Sequence, residues 1–151
     1  MKELTLRPVT MEDAELILEW RNDADSRANS FQKDIILPDT HMAWLKHKLE
    51  NKDAMLFMVL DNQEEIGHIR LDIFGKIGEI SYMVAPKKRG QGYGEALLKL
   101  LCRQELAGIE VLVGMVQKKN PASGKCFIKA GFTCFAGGDT DCYVKVFSAR
   151  R

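Results

Sequence analysis

Arg89-Gly90-Gln91-Gly92-Tyr93-Gly94 stands between an apolar strand pattern over residues 77–84 and a leucine-rich helical pattern over residues 95–106. A tight glycine turn there aims several backbone N–H groups at one point, and the helix behind it adds its unsatisfied first-turn donors and the positive end of its dipole. That is chemistry for phosphate oxygens. The plain alternative is a glycine-rich turn that serves only the fold. Two other phosphate motifs are excluded: a dinucleotide fold needs G-x-G-x-x-G early in the chain with an acidic residue after the next strand, and a P-loop needs G-K-[ST].

A second set of chemistry-bearing residues lies just upstream. With Gly75-Lys76 as a two-residue hairpin loop, Phe74 pairs with Ile77, Asp72 with Glu79, Arg70 with Ser81 and His68 with Met83. Period-two alternation then puts His68, Arg70, Asp72, Glu79 and Ser81 on one face, and Ile69, Leu71, Ile73, Ile80 and Tyr82 on the other. The apolar face is core. The polar face is either solvated or the floor of a substrate cleft. In a cleft, Asp72 would raise the pKa of Glu79 and Arg70 would lower it. The structural alternative is an ion pair between Glu79 and Arg70.

The elements that must position these residues follow from composition and patterning. A chain of 151 residues with 46% hydrophobic content builds one proper core, so one domain spanning residues 1–151 is expected. Lys+Arg at 22 against Asp+Glu at 21 leaves a net charge of +1, which excludes an overall field that would draw nucleic acid or an anionic membrane as partners. Any anion must be bound locally. Apolar runs such as residues 54–60 are far shorter than a bilayer span, and the N-terminus opens with charged residues, so a cytoplasmic location is expected. Cys102, Cys126, Cys134 and Cys142 form no C-x-x-C pair. Reduced, mostly buried thiols are expected, with neither disulfide nor metal.

Residues 4–8 read as a first strand, and Thr10 caps a helix running to about Asp23 with Ala14, Ile17 and Leu18 as its apolar face and Arg21 at the next position. Residues 24–37 have no clean period and read as a surface loop. Asp39 or Thr40 then caps a second helix. Strands at residues 55–60, 65–73 and 77–84 form an antiparallel meander. After the helix at 95–106, residues 109–116 read as a buried strand. Asn120-Pro121 opens another helix that Gly131 ends, and residues 132–135 and 142–147 close as a hairpin around Gly137-Gly138.

The R-x-x-G-x-G spacing after Val84-Ala85-Pro86, and Asn120-x-x-Ser123 followed by Phe127-Ile128-Lys129-Ala130-Gly131-Phe132, resemble the two ordered motifs of the GNAT superfamily of acetyl-CoA-dependent N-acetyltransferases. The element order is similar to that family's over nearly the whole chain. The resemblance implies an α/β chain of the α+β type, with a mixed, largely antiparallel sheet of about seven strands flanked by about four helices. It implies acetyl-CoA as co-substrate, its pyrophosphate on Arg89, Gly90, Gln91, Gly92, Tyr93 and Gly94, and its pantetheine arm along the backbones of Met83 and Val84. Asn120 and Ser123 would lie beside that arm, although the capping role of Asn120 needs no ligand. Glu79 matches the place of a general-base glutamate in several such enzymes, and a backbone N–H near Val84 would polarise the thioester. The family's proton-donating tyrosine falls at Phe127, which would still contact the cofactor but whose ring has no proton to give; either Tyr82, Tyr93 or Tyr143 does this instead, or the thiolate leaves without specific help.

Trp20-Arg21-Asn22-Asp23 with Ser30, His41 and Trp44-Leu45 is similar to the amino-terminal half of GNAT enzymes that acetylate amino groups on nucleotide-linked sugars, including the pseudaminic-acid pathway type. That branch implies a small-molecule amine as partner, with Arg21 and His41 on a diphosphate, Trp20 and Trp44 as flat surfaces, and His68 and Arg70 on the cleft floor; a homodimer is the assembly expected. Both tryptophans would serve equally as helix anchors in a core. The alternatives are a protein N-terminal or ribosomal-protein acetyltransferase, and a catalytically silent acetyl-CoA-binding module.

Overall fold

Alternating patterning over residues 54–84 builds three adjacent strands: β2 (Ala54–Asp61), β3 (Glu64–Phe74) and β4 (Ile77–Val84). The computed structural model describes residues 3–31 and 33–147. The remaining elements are β1 (Leu4–Pro8), α1 (Ala14–Asn22), α2 (Ala24–Asn29), α3 (Pro38–Glu50), α4 (Tyr93–Cys102), β5 (Val111–Gln117), α5 (Pro121–Lys129), β6 (Thr133–Phe135) and β7 (Thr140–Val146). Among the described residues, seven strands form one mixed α/β sheet in the order β1-β2-β3-β4-β5-β7-β6. Every pairing is antiparallel except β4 with β5.

The hairpin register is the expected one: Phe74 opposite Ile77, Asp72 opposite Glu79, Arg70 opposite Ser81 and His68 opposite Met83. The two faces of the sheet bury separate clusters. Ile69, Leu71, Ile80 and Leu112 pack with Leu97, Leu98 and Leu101 of α4 and Phe127 of α5. Leu56 and Met58 pack with Ile17 and Trp20 of α1 and Leu45 of α3. A register shift after Val59, which faces Gly67 while Leu60 faces Glu65, leaves Ile66 without an opposite number. That bulge turns the Ile66 side chain into the α4 cluster.

The parallel contact that positions the site is short. It covers Ile77 to Ile80 against Val111 to Gly114, while β4 runs on to Val84 and β5 to Gln117. The strands therefore fork after Ile80 and Gly114.

Several expectations are corrected. Residues 24–37 are not all loop, because the Asp23 carboxylate accepts the N–H groups of Asp25 and Ser26 and so caps α2. Among the described residues the α-helices number five, beside the about four expected. The second long helix starts at Pro38 with Leu37 at the cap position, not at Asp39 or Thr40, since proline's fixed φ suits the first helical position. The helix α4 ends at Cys102, short of residue 106. The cysteines are free, but none is fully buried: Cys134 is exposed on β6 and the other three are half-buried. Among the described residues, no helix is long and apolar enough to cross a membrane.

Candidate active site

The glycine loop has the backbone its sequence demands. Gly90 and Gly92 sit at φ 75° and 83°, conformations in which a Cβ is strained, and Gly92 is the cap residue of α4 with no side chain capping the first turn. The loop therefore presents main chain at a helix N-terminus, at the end of the strand that forks from β5. Residues 81–84 of β4 face no partner on β5. Met83 and Val84 lie on that edge, whose main chain β5 leaves unpaired.

Two members of the loop point elsewhere. The Tyr93 ring is buried and its hydroxyl donates to Asp61. Arg89 donates to Asp23 Oδ2 at 2.9 Å and to Ser26 Oγ at 2.6 Å, away from the loop's own N–H groups. The Arg89 hydrogen bond holds the Asp23 carboxyl below the usual carboxylate range, against burial. Gln91 is exposed and Gly94 lies against Cys126 and Tyr82.

The helix α5 borders the fork. Asn120 Oδ1 accepts the Ser123 N–H at 3.4 Å, so Asn120 is a helix cap, with Pro121 at the first helical position. Ser123 Oγ lies 2.8 Å from the Tyr82 hydroxyl. Burial, then the neighbouring Cys126, pushes the Tyr82 pKa up, so it stays protonated. Phe127 is corrected from a cofactor contact to a core residue. It is 2% exposed, stacks on Tyr143 with centroids 5.3 Å apart and meets Phe132 edge-on at 5.0 Å. Its Cζ would stand 2.3 Å from a Cβ on Gly114, so only glycine lets this ring reach the point where the strands part. Of the three other tyrosines, Tyr82 alone extends from the forked strand to α5.

On the opposite face, the polar residues of β3 and β4 meet α1 and α3. Arg70 donates to Asp72 Oδ2 at 3.0 Å and to Ser81 Oγ at 3.1 Å, and Lys48 of α3 donates to Asp72 Oδ1 at 2.6 Å. Burial alone would push the Asp72 carboxyl up, but the Lys48 hydrogen bond and the Arg70 charge outweigh it and hold it below the usual range. The Arg70 ion pair is thus with Asp72, not with Glu79. Glu79 is half-buried and makes no hydrogen bond or ion pair among the described residues.

Arg21 lies over Trp44 with its guanidinium carbon 4.2 Å from the ring centre, and Arg70 approaches the same ring at 5.4 Å. Burial, and then the charge of Arg70, lowers the Arg21 pKa to about 10. No carboxylate pairs with Arg21 among the described residues. His41 is corrected from a ligand contact to a support. It is 0% exposed; its Nε2–H donates to the Ala14 carbonyl at 2.8 Å, which leaves Nδ1 to accept from Arg21 at 3.0 Å. Burial, then Arg21, holds the imidazole neutral by lowering its pKa.

Trp20, expected as a flat surface, is a core residue at 5% exposure, and His68 lies parallel to its ring with centroids 6.1 Å apart. His68 is itself 7% exposed, and neither ring nitrogen has a hydrogen-bond partner among the described residues. Leaving such atoms unpaired costs about 1–3 kcal/mol each, and burial drives the pKa down to about 3. Sequence reasoning missed Lys48 and Ser26. The spacing of Lys48 four residues after Trp44 was the available signal for the first; nothing local marked the second. No group of three or more His, Cys, Asp or Glu among the described residues could hold a metal ion.

Comparisons with known proteins converge on one family. An uncharacterized N-acetyltransferase, YfmK of Bacillus subtilis (strain 168), is 29% identical over 126 residues, covering 82% of each chain. Spermidine N-acetyltransferase from Vibrio cholerae, solved with CoA and spermine, superposes with a TM-score of 0.84 at 19% identity over 95% of both chains. RimL, a ribosomal L7/L12 alpha-N-protein acetyltransferase solved with CoA, gives 0.81 at 16% identity over 95% of this chain and 94% of its own. The model of the acetyltransferase (GNAT) domain matches residues 3–133, taking in the forked strand, the glycine loop and the cap of α5, and the chain belongs to that family.

Proposed function

We propose that this N-acetyltransferase moves an acetyl group from acetyl-CoA to the primary amine of a nucleotide-linked amino sugar, with Glu79 taking the amine proton. The observation that carries the acceptor class is Arg21, a guanidinium laid on Trp44 beside a second guanidinium and without a carboxylate partner among the described residues. A half-buried cation without counter-charge is costly unless a ligand supplies the anion. A diphosphate supplies it in a geometry that suits arginine, and the indole offers a flat face to a sugar or base. Polyamines meet repulsion there instead.

Acetyl-CoA fits what the chain presents: two left-handed glycines ahead of a helix N-terminus for the pyrophosphate, and an unpaired strand edge at residues 81–84 for the pantetheine arm. The amine attacks the thioester carbonyl, Glu79 accepts the proton directly or through water, and the carbon–sulfur bond breaks with its electron pair going to sulfur. For the proton to that sulfur we favour Tyr82 in place of Phe127, since its hydroxyl stays protonated and borders α5 through Ser123.

A second reading, acetylation of a peptide amino terminus, is favoured by the exposed Phe31, Ile35 and Leu37 on the segment after α2, which suit an extended apolar chain. Turnover with a nucleoside-diphosphate-linked amino sugar, spermidine and an amino-terminal peptide separates the readings. The amino sugar is the expected substrate. Efficient peptide acetylation with no reaction of the sugar would select the second reading.

A further inference from the structure

The motif Trp20-Arg21-Asn22-Asp23 is more than an acceptor surface. Its last three residues each fasten a different segment. Arg21 lies on Trp44 of α3. Asn22 pins the chain after α2 by donating to the Ile36 carbonyl at 2.9 Å and accepting the Ile36 N–H at 2.7 Å. Asp23 caps α2 and receives Arg89 of the glycine loop. Ser26 completes the link: its hydroxyl accepts from Arg89 at 2.6 Å and donates to Met83 Sδ at 3.6 Å, on the open edge of β4.

We propose that the Arg89 side chain is a positioning residue for the acceptor side, fastening the Arg21–Asp23 turn and α2 to the cofactor loop, while the pyrophosphate is held by the main chain of residues 90–94. This rests on the reading of that loop as the acetyl-CoA site. The assignment follows from the donors and acceptors. Arginine has no acceptor and thioether sulfur no donor, so the Ser26 hydroxyl, buried between them, can satisfy both in only one direction. The Asp23 carboxylate serves Arg89 and two N–H groups of α2 at once. Turning Arg89 toward a phosphate would strip both the Asp23 charge and the Ser26 lone pair of their partner. A main-chain loop with left-handed glycines needs no side chain to bind an anion.

The test compares Arg89→Gln, Asp23→Asn and the double variant. Glutamine removes the forked cation at similar length, and asparagine keeps the cap of α2 while removing the charge. Amide hydrogen exchange over residues 24–36 should rise about 10-fold in each single variant and no further in the double, the non-additivity of one shared contact. Acetyl-CoA affinity by calorimetry should change by less than about 3-fold in all three, while the Michaelis constant for the amino-sugar nucleotide rises about 10-fold at nearly unchanged kcat. Loss of acetyl-CoA affinity by about 10-fold or more in Arg89→Gln alone, with exchange unchanged, would make Arg89 a phosphate ligand and overturn the proposal. Absence of acetyl-CoA binding to the native protein would overturn the cofactor reading instead, and the exchange arm would still decide whether Arg89 holds α2.

Discussion

Glu79 and Asp72 are opposite each other on neighbouring strands, yet the protein treats the two carboxylates differently. Asp72 is held by Lys48 and Arg70, which spends its charge. Glu79 is left without a hydrogen-bond or ion-pair partner for its side chain among the described residues. A base must keep its lone pair for the substrate, so the unpaired carboxylate is the candidate. Glu79→Gln keeps the shape and should lower turnover by roughly 10²-fold with acetyl-CoA affinity nearly unchanged; native rates across pH 6 to 9 would remove Glu79 from the reaction. Arg21 is the matching test on the other substrate. Arg21→Ala should raise the Michaelis constant for an amino-sugar nucleotide by about 10-fold or more and leave calorimetric acetyl-CoA binding alone, because charge-assisted hydrogen bonds to one ligand only are lost. The parity of the strand pattern put Glu79 and Asp72 on one face correctly. It could not say which cation would pair with which carboxylate, since Lys48 arrives from a helix more than twenty residues away.

The site is made where two elements part. Ile80 and Gly114 are the last paired residues of β4 and β5, and the ring of Phe127 descends from α5 onto Gly114. A methyl group on Gly114 would collide with that ring. Gly114→Ala should therefore destabilise the protein by about 1–3 kcal/mol in chemical denaturation, and Phe127→Leu should relieve part of the loss when combined with it; an unchanged midpoint in the single variant would show that the fork is not held apart by this contact. The loop between β4 and α4 is tested by its backbone. Gly92→Val strains a position at φ 83° and puts bulk on the loop proposed to hold the pyrophosphate, so acetyl-CoA binding should vanish while the circular dichroism of the fold remains. Unchanged affinity in that folded variant would displace the cofactor from this loop.

At the scale of the whole molecule, α1, α3 and the polar face of the sheet meet around a histidine that the fold keeps neutral. The His68 imidazole has its ordinary value of 6.5 in the unfolded chain and about 3 in the fold, where burial and the charges of Arg70 and Arg21 oppose protonation. The unfolded chain thus binds the extra proton first. The stability that His68 contributes is present above pH 6.5 and is lost as pH falls toward 3. Between pH 6.5 and 5 the native protein should lose about 1.5 kcal/mol from this group, and His68→Phe should flatten that part of the profile. A slope identical in the two proteins would mean that His68 is hydrated in the fold. What the sequence by itself determined was local: the strand parity, the β3–β4 register set by a two-residue turn, the glycine loop ahead of a helix, and the Asn120-Pro121 helix start. Each depends on residues near in the chain, whose geometry is limited by φ, ψ and side-chain alternation. Only the tertiary structure decided that His41 lies beneath Arg21, that Phe127 fills the base of the fork, that Arg89 turns to Asp23, and that residues 24–29 form a helix. The first and third of these depend on which polar group finds its partner across the fold, 20 and 66 residues away in the chain, and the second on a ring meeting a glycine of another element; α2, whose cap Asp23 is its own neighbour, lay within local reach but its pattern of residues did not show it.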